Sequence, residues 1–306
     1  MKVFVDTRLT EEKDYQKLKK EFPNIEFTED FSKRSEIEVF FGLNSILTKA
    51  KIDEFKNLKW IQLYMAGFDN VDVEGFKNKG ILVSNARDIF SITIAEDIIS
   101  KILYFNRDID KFIYNKNNKI WKPIPEEQEI FNSVIGIIGT GSIGKEVAKR
   151  LQSFSPKKII GHRRKNKPAK YFDEIYTGEK GLNKVIKQAD YLIIAIPLNK
   201  KTKYLFDYER LKLMKEKAIL INVARGEIIV QKDLTKILEE KKIRGAGLDV
   251  SNPEPLPKSS KLWELDNVII TPHNASSSIY MKKRLYDLTK ENLSRYLKGK
   301  AVKFLL

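Results

Sequence analysis

Short apolar runs alternate with stretches of helical spacing along almost the whole of this 306-residue chain, and that alternation restricts the fold to parallel sheet covered by helices. The early runs are Lys2 to Val5, Ile25 to Phe27, Ile37 to Phe41, Trp60 to Tyr64 and Ile81 to Ser84, with helical segments such as Glu11 to Glu21 and Lys51 to Asn57 between them. A helix pattern free of glycine and proline then extends from about Ile92 to Tyr114. Asn115 to Asn132 is polar, contains Pro123 and Pro125, and reads as an extended arm around Trp121. A second series begins at Ser133. Its runs are Val134 to Gly139, Lys158 to Gly161, Tyr191 to Ile196, Ala218 to Val223, Gly247 to Val250 and Val268 to Thr271. An amphipathic helix from about Ser277 to Leu297 follows. The expected architecture is α/β, with two doubly wound domains, the terminal segment returning to the first, and a site in the cleft between them.

Composition narrows the function. The chain is long enough for two sizeable cores, and its 42% hydrophobic content is ordinary for a globular protein. No apolar run approaches the ~20 residues of a membrane span, and Met1 to Asp6 enters a strand pattern directly instead of forming a signal peptide. With no cysteine in the chain, a cytoplasmic enzyme without disulfide or thiolate chemistry is expected. No cluster has metal-ligand spacing, so no metal site is expected. The net charge of +16 raises nucleic acid as a partner. However, the lysines of Lys13 to Lys20, Lys212 to Lys217 and Lys236 to Lys242 are interleaved with acids, and no zinc-ligand or aromatic RNA-binding pattern accompanies them. They read as solvated surface, and neither nucleic acid nor membrane is an expected partner.

Gly139-Thr140-Gly141-Ser142-Ile143-Gly144 follows the run Val134 to Ile138 and opens the helix pattern Lys145 to Leu151. Strand before and helix after turn a weak glycine signature into a dinucleotide site. Gly139, Gly141 and Gly144 permit a tight turn and close approach to pyrophosphate. Ser142 and Ile143 begin the helix whose N–H groups and dipole favour phosphate. An acid for the ribose 2′-OH of NAD is expected at the end of the second strand, but that strand runs into His162-Arg163-Arg164-Lys165. Guanidinium groups at Arg163 and Arg164 suit a 2′-phosphate instead. NADP is therefore the expected cofactor, with NAD the other candidate.

Three further residues carry chemistry: Arg225 in Asn222-Val223-Ala224-Arg225-Gly226, Glu254 in Asn252-Pro253-Glu254-Pro255, and His273 in Thr271-Pro272-His273-Asn274. Each lies just beyond an apolar run, where ligands of open α/β sheets bind. A guanidinium, a carboxylate and an imidazole suit the grip of a 2-oxo acid and the protonation of its carbonyl.

Together with Tyr64 to Asp72, Ala95-Glu96 and the 29-residue interval from Arg225 to Glu254, these segments resemble the D-isomer-specific 2-hydroxyacid dehydrogenases over nearly the whole chain. The resemblance implies a flavodoxin-like substrate domain, residues 1–100 and 276–306, into which a Rossmann dinucleotide-binding domain, residues 101–275, is inserted. It implies a homodimer joined through the cofactor domains, with Asn115 to Asn132 reaching the partner. It also implies roles. His273 protonates the keto oxygen, Glu254 orients the imidazole, and Arg225 holds the substrate carboxylate. Ala66, Gly67 and Phe68 offer backbone N–H groups to the same carboxylate. Pro197 and Thr202 belong to a loop over the cofactor, in which Asn199 replaces the usual threonine. Val223, Ala224 and Asp249 lie against the cofactor, with Asp249 at its carboxamide. A substrate side chain would be read by residues near Tyr64, Met65, Phe90, Trp121 and Tyr280, although aromatics in such places more often serve the core or a dimer contact than specificity. A phosphoglycerate dehydrogenase is the alternative within the enzyme class. A dinucleotide-sensing, corepressor-like interaction protein is the alternative outside it.

Overall fold

The computed structural model describes residues 1–48, 50–125 and 127–306. Contacts divide the chain into two units, residues 1–90 with 277–306, and residues 91–276.

In the first unit the described strands are β1 (Lys2–Val5), β2 (Glu26–Thr28), β3 (Val39–Gly42), β4 (Trp60–Leu63) and β5 (Leu82–Ser84). They form one sheet in the order β2-β1-β3-β4-β5, and every neighbouring pair is parallel. This is the flavodoxin-like order. β3 and β4 are buried along their whole length, which is why they read as near-continuous apolar runs, broken only by the buried Gln62 in β4, rather than as alternation. The helix Met281–Leu297 belongs to this unit, and its Tyr296 stacks on Trp60 with ring centroids 5.0 Å apart. Tyr64 is only 2% exposed and is part of this core, the commoner role for an aromatic beside a site motif. The expected helix start at Ser277 moves to Met281.

In the second unit the described strands are β6 (Val134–Ile138), β7 (Lys158–His162), β8 (Glu174–Tyr176), β9 (Tyr191–Ile194), β10 (Ile219–Asn222), β11 (Gly245–Leu248) and β12 (Val268–Ile270). All pairs are parallel, in the order β12-β11-β10-β9-β6-β7-β8. Strand order reverses between β6 and β9, the switch point at which dinucleotides bind in doubly wound sheets. β8 escaped the sequence reading because it has three half-buried residues at the sheet edge, too few for a pattern. The helix expected from Ile92 to Tyr114 is two, Ser91–Asn106 and Ile109–Asn117. Asp108 breaks it with φ 43°, a left-handed conformation that a short acidic side chain tolerates better than most. Among the described residues no helix is long and apolar enough to cross a membrane.

Helix Ser91–Asn106 lies over β10 and β11, and there Lys101 is 1% exposed. Its aliphatic chain fills the space above Gly247, where a Cβ would come within 2.9 Å of Lys101 Cδ. Its ammonium group pairs with Asp97 one turn earlier. Burial raises the Asp97 carboxyl above its ordinary range even with this partner beside it. Removing one member of a buried pair strands the other charge. Lys101→Met is therefore expected to lower unfolding free energy by about 3 kcal/mol, with the double variant Asp97→Leu/Lys101→Met recovering most of the loss. Urea unfolding of the three proteins checks this, and an unimpaired single variant would contradict it.

Candidate active site

β10, β11 and β12 end level with one another, because Asn222 pairs with Leu248 and Leu248 with Ile270. The segments leaving these ends carry Arg225, Asp249 to Glu254, and His273, so the parallel register brings all of them to one edge of the second unit. The first segment is folded by Asn222, which is 1% exposed. Its Nδ2 donates to the Arg225 carbonyl (3.1 Å), and its Oδ1 accepts from the Ala224 N–H (3.0 Å). Arg225 Nη1 donates to the Ala224 carbonyl at 2.7 Å. Gly226 follows because the turn presses against the 251–252 backbone. A Cβ on residue 226 would lie 1.9 Å from the Ser251 carbonyl oxygen.

The segment beyond β12 is held by Asp249. Its carboxylate is 2% exposed and accepts from Thr271 Oγ1 (2.6 Å), the Asn274 N–H (2.8 Å) and the Ala275 N–H (3.1 Å). Its backbone carbonyl accepts the His273 N–H at 2.8 Å. Inside this clamp His273 adopts φ 52°, a left-handed conformation costing a non-glycine residue roughly 1–2 kcal/mol. Asp249 was expected to face the cofactor. Its Oδ1 is directed to loop donors, while among the described residues Oδ2 accepts only from the Ala275 N–H at 3.1 Å.

His273 Nδ1 lies 2.9 Å from Glu254 Oε2. Glu254 is fixed in turn, because its Oε1 accepts the Ser251 N–H at 3.1 Å. A carboxylate can only accept, so Nδ1 carries the hydrogen and Nε2 is left as the nitrogen that can give or take a proton. The imidazole is 45% exposed, within reach of a ligand. Acid–base chemistry at a fixed nitrogen, on the sheet edge that also carries Arg225, is what the arrangement can perform.

The glycine loop sits between β6 and the helix Ser142–Leu151. Gly139 has φ 108°, and a Cβ there would meet the Ala195 carbonyl at 2.3 Å; one on Gly144 would meet the Gly139 carbonyl at 2.0 Å. A Cβ on Gly141 would meet nothing within 4 Å, and no side chain caps the helix at its Gly141 end. Open space in front of an uncapped helix start, with Ser142 and Ile143 as its first residues, fits a dinucleotide pyrophosphate. Gly139 N–H donates to the His162 carbonyl at 3.0 Å, so Arg163 and Arg164 leave β7 at the same edge. Arg163 Nη1 is 3.4 Å from the Lys167 carbonyl, and Arg164 is exposed. Pro197 follows β9, and Thr202 Oγ1 donates to its carbonyl at 2.7 Å, closing that loop. Val223 and Ala224 follow β10. Ala66, Gly67 and Phe68 lie in the first unit, just beyond β4. Among the described residues, no group of His, Cys, Asp and Glu side chains could hold a metal ion.

Asn222, Gly226 and the loop-holding bonds of Asp249 were not found from the sequence. The only signal for Asn222 was a polar residue ending an otherwise apolar strand.

Comparison with known proteins bears on this edge of the sheet. The family profile for the D-isomer specific 2-hydroxyacid dehydrogenase NAD binding domain matches residues 99–275. A glyoxylate reductase of Pyrococcus furiosus is 33% identical over 316 residues, which cover 97% of this chain and 93% of the relative. A D-3-phosphoglycerate dehydrogenase of Methanocaldococcus jannaschii is 35% identical over 260 residues, 83% of this chain and 48% of that one. Among solved structures, an acyclic imino acid reductase in complex with NADPH and D-Arg superposes with a TM-score of 0.87 at 25% identity, over the whole of both chains.

Asp249→Asn keeps the side-chain volume but turns an acceptor toward the loop into a donor. We expect it to cost about 1–3 kcal/mol of stability and to release His273 from its left-handed turn. The Nδ1–H proton resonance of His273 reports this directly. It should weaken or vanish in the variant, and an unchanged signal would show that the loop does not depend on the carboxylate.

Proposed function

This chain belongs to the D-isomer specific 2-hydroxyacid dehydrogenases, and we propose that within the family it works as a reductase of small 2-oxo acids. The observation that carries this reading is the His273–Glu254 hydrogen bond of 2.9 Å, formed at the strand ends that also carry Arg225. NAD(P)H, when bound, supplies the hydride that reaches the keto carbon. His273 gives the proton on Nε2 to the keto oxygen, so that carbonyl becomes hydroxyl, and the imidazole is reprotonated from solvent. Glu254 accepts from Nδ1 and keeps the ring oriented. Arg225 binds the substrate carboxylate and stabilises charge growing on the keto oxygen. Gly139, Gly141, Ser142, Ile143 and Gly144 take the pyrophosphate. Pro197, Thr202, Val223, Ala224 and Asp249 line the rest of the cofactor. Ala66, Gly67 and Phe68 offer backbone N–H groups to the carboxylate.

Similarity to a glyoxylate reductase along almost the full length supports a short substrate side chain. The phosphoglycerate dehydrogenase relative supports a second reading, in which the substrate is a 2-oxo acid carrying phosphate. NADPH is the preferred reductant in our reading, because two arginines rather than an acid follow β7. The proposed compartment is the cytoplasm.

The proposed assembly is a homodimer. Ile113, Tyr114, Ile120, Trp121 and Phe131 are all exposed in the arm region, Trp121 completely, and exposed apolar clusters mark interfaces. Sedimentation equilibrium is expected to give about twice the chain mass, falling toward the monomer on Trp121→Glu. A monomeric parent would contradict it.

Initial rates of NADPH and NADH oxidation over glyoxylate, hydroxypyruvate, pyruvate and 3-phosphohydroxypyruvate test the whole reading. We expect turnover with the small acids, faster with NADPH, and a kcat loss of about 10²–10⁴-fold in His273→Gln with cofactor affinity retained. Arg163→Asp is expected to shift the preference toward NADH. Silence of the parent with every acid would contradict the reductase, and an unmoved cofactor ratio in the arginine variant would contradict the NADPH preference.

A further inference from the structure

Beyond Tyr64, whose N–H donates to the Gly42 carbonyl at 2.8 Å, the loop after β4 is tied down through its carbonyl groups. The Met65 carbonyl accepts the Ala86 N–H at 3.1 Å, and the Phe68 carbonyl accepts the Val71 N–H at 3.0 Å. Between them, Asn85 Nδ2 donates to the Ala66 carbonyl at 2.7 Å, and Asn44 Nδ2 donates to the Gly67 carbonyl at 2.8 Å. Four successive acceptors are thus satisfied within the first unit. The donors are not: among the described residues, neither the Gly67 N–H nor the Phe68 N–H has a backbone or side-chain acceptor. Gly67 is half-buried and Phe68 exposed, so these two adjacent open donors beside four paired carbonyls are accessible to an acceptor from outside.

Peptide planarity turns this into a statement about direction. In a trans peptide the C=O and the N–H point opposite ways. Holding the Ala66 oxygen therefore aims the Gly67 N–H away from Asn85, and holding the Gly67 oxygen aims the Phe68 N–H away from Asn44. Both asparagines are buried, at 7% and 2% exposure, so neither amide is free to swing. Asn44 Nδ2 is shared with Asn70 Oδ1 at 3.0 Å. Two acceptors on that side fix which end of the amide is nitrogen. Among the described residues the Asn44 oxygen has no protein partner.

We propose that Asn44 and Asn85 are positioning residues that orient the Phe68 and Gly67 N–H groups toward the carboxylate of the substrate. The inference rests on the 2-oxo acid reading above and extends it to two side chains that touch no reacting atom. Substrate affinity in this enzyme is thereby set partly by two amides acting through the backbone.

The test uses the full chain loaded with NADPH and the unreactive 2-oxo acid analogue oxamate. Calorimetry compares the parent with Asn44→Ala and Asn85→Ala, while amide resonances of Gly67 and Phe68 are followed in the parent by selective labelling. The expected result is an oxamate affinity about tenfold weaker in each variant, since charge-assisted donors are misdirected. NADPH affinity should stay unchanged, and both amide resonances should shift as oxamate binds. A variant that loses thermal stability but keeps the parent's oxamate affinity would overturn the inference by reducing the asparagines to loop supports. Should neither variant fold, still amide resonances in the oxamate-saturated parent would overturn it, and shifted ones would support it. A parent that reduces 2-oxo acids while both amides stay still sinks the inference alone. One that binds oxamate with both amides shifting, yet reduces nothing, supports the inference and removes the reductase.

Discussion

One buried carboxylate, Asp249, fixes the conformation on which the chemistry at this sheet edge depends. An ionised group taken out of water is unfavourable unless donors replace the lost hydration. Here a hydroxyl and two backbone N–H groups from the segment after β12 do so. The segment must therefore wrap the carboxylate, and His273 is carried into a left-handed turn as a consequence. The imidazole is then met by Glu254, whose second oxygen is held by the Ser251 N–H. No part of this requires a metal or a disulfide. It requires three strands ending level and an acid placed directly after the middle one.

The same device recurs wherever a functional loop leaves a strand. Asn222 closes the turn before Arg225, and Asn44 and Asn85 pin the segment after β4. In each case a buried Asn or Asp side chain bonds to backbone groups and supplies the order that helix or sheet cannot give a loop. Glycine complements these anchors where chains must touch. Gly226 lets the Arg225 turn meet Ser251, and Gly144 lets a helix start meet Gly139. Rigid strand ends, polar side-chain anchors and glycines at the contacts together leave specific atoms uncovered: imidazole Nε2, the Gly67 and Phe68 amides, and the space in front of Gly141.

Much of this was legible in the sequence, for identifiable reasons. Parallel strands buried on both faces are continuous apolar runs, so β3, β4, β6 and β9 stand out. β8 does not, being three residues at an edge, and nothing in Asn106-Arg107-Asp108 announced a helix break without glycine or proline. Arg225, Glu254 and His273 could be named because their side chains are uncommon in such positions and their chemistry is complementary. Asn44, Asn85 and Asn222 could not be, because asparagine is ordinary in loops and its role here is a matter of which carbonyl it reaches. Tyr64 illustrates the general rule that an aromatic beside a site motif more often serves the core than a ligand, and it is packed in the core.

The most direct test of the account is the solvent deuterium isotope effect on a single turnover of NADPH oxidation with hydroxypyruvate, in the parent and in His273→Gln. If the imidazole delivers its proton as the hydride arrives, the parent should slow in D2O, and the variant should be far slower and indifferent to the solvent. An equal rate and an equal isotope effect in the two proteins would mean that the proton comes from elsewhere, and that the clamp around His273 serves the fold rather than the reaction.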